Sequence, residues 1–199
     1  MPSTVPKSSL AVHPDTRDVA KHMKEFGLSL LGRSIKDVTF SEMLNPYVHA
    51  MAVVTCAQAA EIIIKARIVE EHPLLIFTKL PRPDPSSLLD VGSLMAEGRT
   101  LTYDELPDAL WATTGYRVAN RSQFDEFGKL RNVIMHFAVP NTELDDAVLR
   151  FAFVVIEPLI YDFWKADIIE SYEDFGEEEE YILERLSKLG IPFTRKPSG

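Results

Sequence analysis

Residues 45–72 admit one long helix and little else. Asn45 offers an amide cap, and Pro46 takes the first helical position, where a missing N–H leaves nothing unsatisfied. From there Val48, Met51, Ala52, Cys56, Ala59, Ile62, Ile63 and Ala66 trace a wide apolar face at helical spacing, until Pro73 stops the run after His72. Roughly 26 residues at 1.5 Å each make about 39 Å, enough to span a whole bundle.

Other segments supply the partners such a face needs. From Asp15, a cap candidate, Val19, Met23, Phe26 and Leu30 recur at helical spacing until Gly32, which suits a C-terminal cap. Ser122 with Asp125 three residues on forms a capping box, opening a helix whose stripe is Phe124, Phe127, Leu130 and Ile134. Asn141 or Thr142 caps the next helix, with Leu144, Val148, Phe151, Ala152, Val155, Leu159 and Phe163 inward and a kink expected at Pro158. Shorter helices are expected from Ser86 or Ser87 (with Leu88, Leu89, Val91, Leu94 and Met95), over 103–114 (Leu106, Leu110 and Trp111 inward) and over 181–189, stopped by Gly190 and Pro192. Leu74 to Phe77 reads as an apolar patch returning to the core, and Pro81-Arg82-Pro83-Asp84-Pro85 as a loop.

Strict alternation is absent, and the β-rich run 151–156 lies inside a helical period, so no strand is expected. The expected fold is all-α: an antiparallel four-helix bundle with an inserted helical and loop segment at about 78–118 and short terminal helices. A flexible arm over 1–14, a bundle over 15–168 and an acidic C-terminal helix and tail over 169–199 complete the organisation.

Composition bounds the function. At 199 residues, 46% hydrophobic and 26% charged, the chain fits one soluble globular domain. The lone Cys56 excludes an internal disulfide framework or a CxxC site, and it reads as a small buried hydrophobe. Its first residues are polar and proline-spaced, so no secretory signal is expected. Neither apolar helix is a membrane span: one carries His49, Gln58, Glu61 and Lys65, the other Arg150, Glu157 and Pro158. A cytoplasmic protein is the expectation. A net charge of −9 argues against broad, charge-driven nucleic-acid binding, but residues 170–184 alone hold eight carboxylates and no base. The remainder is nearly neutral and leaves room for a basic pocket.

Chemistry concentrates in residues 130–137, Leu-Arg-Asn-Val-Ile-Met-His-Phe. Arg131 can neutralise a phosphorane, Asn132 can orient a hydroxyl or phosphate oxygen, and the imidazole of His136 can move protons. Arg17 with His22 and Arg67 with His72 share the spacing. The first pair lies among polar residues near a terminus, and in the second an Ile follows the Arg and Pro73 follows the His. Only Arg131 lies deep in an amphipathic segment followed by a short loop and a long apolar helix. In an ideal helix Arg131 and His136 point about 140° apart, so they share a pocket only where the helix unwinds or ends.

The octet resembles the Arg-polar-x3-His signature of the HEPN family, helical proteins that include many metal-independent ribonucleases of toxin–antitoxin and phage-defence systems. The resemblance covers about residues 46–164. It implies an α-helical bundle, a homodimer in which two Arg-His pairs share one cleft, and cleavage of RNA to a 2′,3′-cyclic phosphate. Arg131, Asn132 and His136 would be the catalytic set, with RNA as substrate and neither metal nor cofactor. Some relatives are catalytically silent modules that bind nucleotides or proteins.

Around that set, Tyr116, Arg117, Asn120 and Arg121 form the densest polar cluster, suited to contacting a nucleotide. Glu61 is either the partner of Lys65 four residues on or a carboxylate that holds Arg131 in place. No glycine-rich phosphate loop, HExxH or Ser-His-Asp signature occurs. The four consecutive carboxylates at 177–180 read as a solvated face at a helix N-terminus. The competing expectation is a non-catalytic interaction module, such as an antitoxin or assembly subunit, that docks a basic partner through the acidic stretch.

Overall fold

In the computed structural model, which describes residues 16, 18–40, 45, 47–82, 88–171 and 179–193, the long helix α2 (Val48–Glu71) forms the axis of the molecule. Its buried side chains occupy several sides, from Ala52 and Val53 through Cys56, Ala60, Ile63, Ile64 and Ile68. A helix apolar on so much of its circumference must be enclosed. The neighbours that enclose it are α1 (Val19–Phe40), α4 (Leu106–Thr114), α5 (Arg121–His136) and α6 (Leu144–Arg150).

Helix α1 does not stop at Gly32 as expected. It runs on to Phe40 because Leu31, Ile35 and Val38 continue the buried stripe, and packing outweighs the ~1 kcal/mol that a mid-helix glycine costs. Gly27 permits the close approach of α1 to α2: a Cβ there would lie 2.7 Å from Ile63 Cγ1. Cys56 is buried where these helices meet. Burial pushes its thiol up to about 12 against the weaker opposing hydrogen bond with Ser34, so it behaves as the small hydrophobe expected.

The absence of strands was a misreading. After α2 a 3₁₀ turn (Pro73–Ile76) leads into β1 (Phe77–Lys79), which pairs antiparallel with β2 (Arg99–Thr100) across a bulge. Two and three residues are too few for alternation to show in sequence. Of the apolar patch, Ile76 is buried and Leu75 exposed. Helix α3 (Val91–Glu97) is capped by Asp90, whose carboxylate accepts from the Ser93 N–H at 2.7 Å; the expected start at Ser86 or Ser87 lies outside the described residues, as do residues 1–14 and Asp15. The expected helix over 103–114 opens as a 3₁₀ turn (Tyr103–Glu105), with the Glu105 carboxylate accepting from the Thr102 N–H at 2.7 Å, and continues as α4. Leu106 and Leu110 from this segment enter the same core as α2. Trp111 does not: it faces outward.

Other expected caps differ. Tyr47, not Asn45, stands at the cap position of α2, and the Asn45 side-chain oxygen accepts the Tyr47 N–H at 2.9 Å. The Ser122–Asp125 box is not formed; Asn120, in the left-handed region at φ 50°, precedes α5, and Asp125 pairs with Arg121 at 2.9 Å. Helix α6 starts at Leu144 after Glu143 rather than from a cap at Asn141 or Thr142. Beyond it the chain continues through a π-helical segment (Phe151–Ile156) into α7 (Glu157–Trp164). Pro158 has no N–H to give, so the irregularity expected there is taken up as widened turns just before it. Helix α8 (Glu179–Lys188) buries Ile182 and Leu186, and Arg185 ties it down by reaching the Val38 carbonyl (3.0 Å) and Asp145. Among the described residues no helix is long and apolar enough to cross a membrane.

Candidate functional site

Helix α5 carries the octet, and its inner face sets the outer one. Phe124 and Phe127 are buried; Phe127 stacks on Phe151 with centroids 3.9 Å apart. Gly128 lets the ring of Tyr103 lie directly on the helix backbone, since a Cβ there would meet the ring at 2.5 Å. The Tyr103 ring is stacked on Phe124 at 4.3 Å, and its hydroxyl donates to the Phe124 carbonyl at 3.2 Å. Burial first, then the nearby Cys56 and Asp125, hold this phenol well above its usual range, with the Arg131 charge opposing them. Tyr103 is thus a neutral wall.

Against that wall opens a cavity of about 620 Å³, lined by Thr102, Tyr103, Asp104, Arg121, Asp125, Gly128, Lys129, Arg131 and Asn132. The volume lies in the range of small-molecule sites. Arg121 is held by Asp108 at 2.8 Å and Asp125 at 2.9 Å, so its charge is largely balanced. Asp104 accepts the Thr102 hydroxyl at 2.8 Å, which keeps its carboxyl below the usual range. Arg131 differs. Its Nη1 donates to the Asn132 side-chain oxygen at 2.9 Å, and among the described residues no carboxylate forms an ion pair with it. A neutral amide orients the guanidinium and leaves its charge available to an anion.

His136 is the last residue of α5 and is exposed, outside the lining of the cavity. The helix stays regular to that point, closed by the Phe137 and Ala138 N–H groups on the Val133 carbonyl at 2.9 and 3.0 Å. Within one chain, therefore, Arg131 and Asn132 share a cavity and His136 stands about 7.5 Å further along the helix and ~140° around it. Around the histidine lie exposed apolar side chains: Val133, Met135, Val139 and Phe137, the last 91% exposed.

The other Arg-x4-His spacings are occupied. Arg67 pairs with Glu70 at 3.5 Å and with Glu71, and its guanidinium lies 4.6 Å over the Phe163 ring. The Nδ1 of His72 accepts the Leu74 N–H at 3.1 Å. His22 stacks on Phe26, and Arg17 lies outside the described residues.

The remaining candidates disperse. Glu61 accepts from Lys65 at 2.6 Å, not from Arg131, and lines a separate apolar cavity of about 310 Å³ between α1, α2 and α3. Tyr116 leans on Phe163 at 4.8 Å, and burial together with the Asp162 carboxylate pushes its phenol up to about 12. Arg117 lies over Trp111, and only Arg121 of that cluster reaches the cavity. Sequence reasoning missed Tyr103, Asp104 and Lys129. A Thr-x-x-Glu box at Thr102 and Glu105 was the one legible signal for this wall. Among the described residues no group of three or more His, Cys, Asp or Glu is placed to hold a metal ion.

Compared with known proteins, the chain matches no family model, no curated protein and no solved structure. What the site can do rests on its geometry.

Proposed function

We propose that this protein is a metal-independent endoribonuclease of HEPN type, acting in the cytoplasm in a toxin or phage-defence role, with α1, α2, α5 and the continuous α6–α7 as its four-helix bundle. The observation that carries the reading is the Arg131–Asn132 bond at 2.9 Å, a guanidinium oriented by a neutral amide at the edge of an open polar cavity. Phosphodiester cleavage needs such a charge where negative charge grows. It also needs a proton acceptor and a donor, and the single imidazole of His136 cannot be both at once.

A homodimer supplies the second. In this reading the apolar collar around His136 packs against its copy and brings two Arg131–His136 pairs into one cleft. One imidazole takes the 2′-hydroxyl proton as that oxygen attacks phosphorus. The other protonates the departing 5′-oxygen, leaving a 2′,3′-cyclic phosphate. Arg131 stabilises the phosphorane between them.

Purified protein incubated with total RNA in excess EDTA is expected to cleave it, leaving cyclic phosphate ends. Cleavage that needs a divalent metal overturns the mechanism; no cleavage by a well-folded dimer supports instead the interaction module that docks a basic partner through the acidic stretch at 170–184. For the dimer itself, an interface of about 1,000 Å² or more is expected. Phe137→Asp, which puts a charge into its middle, should sediment as a folded monomer and lose cleavage. An active monomer in either form would count against the shared cleft.

A further inference from the structure

We propose that Trp111, with Arg117 lying across its ring, is a stacking platform for an unpaired nucleobase of the RNA strand entering the cavity at Arg131. The inference rests on the ribonuclease reading and adds where and in what form that substrate is held.

The sequence places Trp111 in the apolar face of its helix, yet the structure turns it out. Leu106 and Leu110 fill the core, while Trp111 is 49% exposed. The Cζ of Arg117 sits 5.1 Å from the indole centroid. The connecting loop is pinned at both ends in the left-handed region, by Gly115 at φ 77° and Asn120 at φ 50°, and Gly115 closes α4 with its N–H on the Trp111 carbonyl at 2.8 Å. An indole and a guanidinium are both planar faces that stack on bases, and each tolerates any base.

Position joins the platform to the cavity. Asp108 lies one turn before Trp111, hence on nearly the same side of α4, and its carboxylate accepts from Arg121 at 2.8 Å. Arg121 lines the cavity that holds Arg131. The surface therefore runs from the exposed ring over the Asp108–Arg121 pair to the uncompensated guanidinium, with exposed Lys129 beside it. A protein partner can also use an exposed tryptophan as an anchor. With Arg121 balanced by Asp108 and Asp125, the cations beside this one that favour a phosphate backbone are Arg117, Lys129 and Arg131. A base inside a duplex has both faces covered by its stacked neighbours, so the substrate class is single-stranded RNA.

The chain has two tryptophans, so Trp164→Phe leaves Trp111 as the sole indole emitter. Its fluorescence is read while a mixed-sequence single-stranded 2′-O-methyl RNA, which offers no 2′-hydroxyl to attack, is titrated in; the same sequence in a duplex closed by a loop at both ends is the control. The expected result is saturable quenching by the single strand and not by the duplex. Read by the anisotropy of the end-labelled strand, since these variants lack the emitter, Trp111→Ala is expected to weaken binding about 5- to 150-fold, from the stacking worth of one base, and Trp111→Phe to restore most of it. In cleavage, Trp111→Ala raises KM and spares kcat. Because the Trp164 indole donates to Glu70 at 2.8 Å, its replacement can disturb the fold; 5-fluorotryptophan-labelled full chain then reports Trp111 as its own fluorine resonance, assigned by its loss in Trp111→Ala. No response to single strand, equal response to duplex, or an unchanged affinity in Trp111→Ala overturns the platform. Quenching by RNA in a protein that cleaves none keeps the platform and removes the ribonuclease. Cleavage with KM indifferent to Trp111 does the reverse.

Discussion

His136→Ala is expected to slow RNA cleavage by about 10²- to 10⁴-fold, the contribution of general acid–base catalysis, and to leave the fold in place. The side chain is exposed at the last position of α5, and no hydrogen bond, ion pair or buried contact among the described residues depends on it. An exposed side chain in that position contributes only within about ±0.5 kcal/mol to stability. A change of that size cannot imitate the kinetic loss. Arg131→Ala should cost a comparable factor. Arg131→Lys should recover part of it, because an ammonium supplies charge without the planar fork that Asn132 orients.

The other histidines make the assignment specific. His72→Ala removes the acceptor of the Leu74 N–H, so it should cost about 0.5–2 kcal/mol of stability and nothing in rate per folded molecule. His22→Ala should change neither. Single-turnover cleavage with excess enzyme, alongside urea unfolding of each variant, separates these outcomes. Cleavage that persists unchanged in His136→Ala means that the proton is moved elsewhere, and the proposed mechanism fails.

The elements visible in the sequence are those whose reason for existing is local. The long helix ends within about one turn of where its cap and Pro73 put it, because a stretch apolar on so many sides has no other way to bury itself. Phe124 and Phe127 are inward, as their spacing requires. The 140° between Arg131 and His136 also follows from helix geometry alone, and the regular end of α5 keeps it.

What was hidden depends on partners distant in the chain. Gly32 looks like a stop until Ile35 and Val38 join the shared core and Ser34 meets Cys56. The two short strands exist because Phe77 and Thr100 meet, 23 positions apart by their numbers. Trp111 reads as inward by period, yet Leu110 already fills that space. Tyr103 has no signal of its own; it becomes a cavity wall only because Gly128 lacks a Cβ. For Glu61 the sequence offers two partners, Lys65 and Arg131, and the structure takes the local one, Lys65.

The largest structural effect should come from Phe124→Ala. This ring is fully buried and lies between Tyr103, 4.3 Å away and nearly parallel, and Phe151, 6.0 Å away and tilted. Truncation removes both aromatic contacts, each worth about 0.5–1.5 kcal/mol beyond burial, and leaves a hole between three elements. Phe→Ala at such a site costs about 3–5 kcal/mol, out of a typical total of about 5–15. In urea this should appear as a lower midpoint at unchanged slope, the sign of a native state weakened rather than rearranged. Phe124→Leu keeps more of the volume and should fall well short of that loss. The same substitution reaches the site, because Tyr103 rests on Phe124 and walls the cavity at Arg131. At temperatures where Phe124→Ala is still folded, the rate should therefore drop through a weaker hold on the substrate, with KM rising before kcat falls. A loss below about 1 kcal/mol would mean that α5 and the 3₁₀ turn collapse onto the gap, and that the stacked rings do not fix the wall on which Arg131 depends.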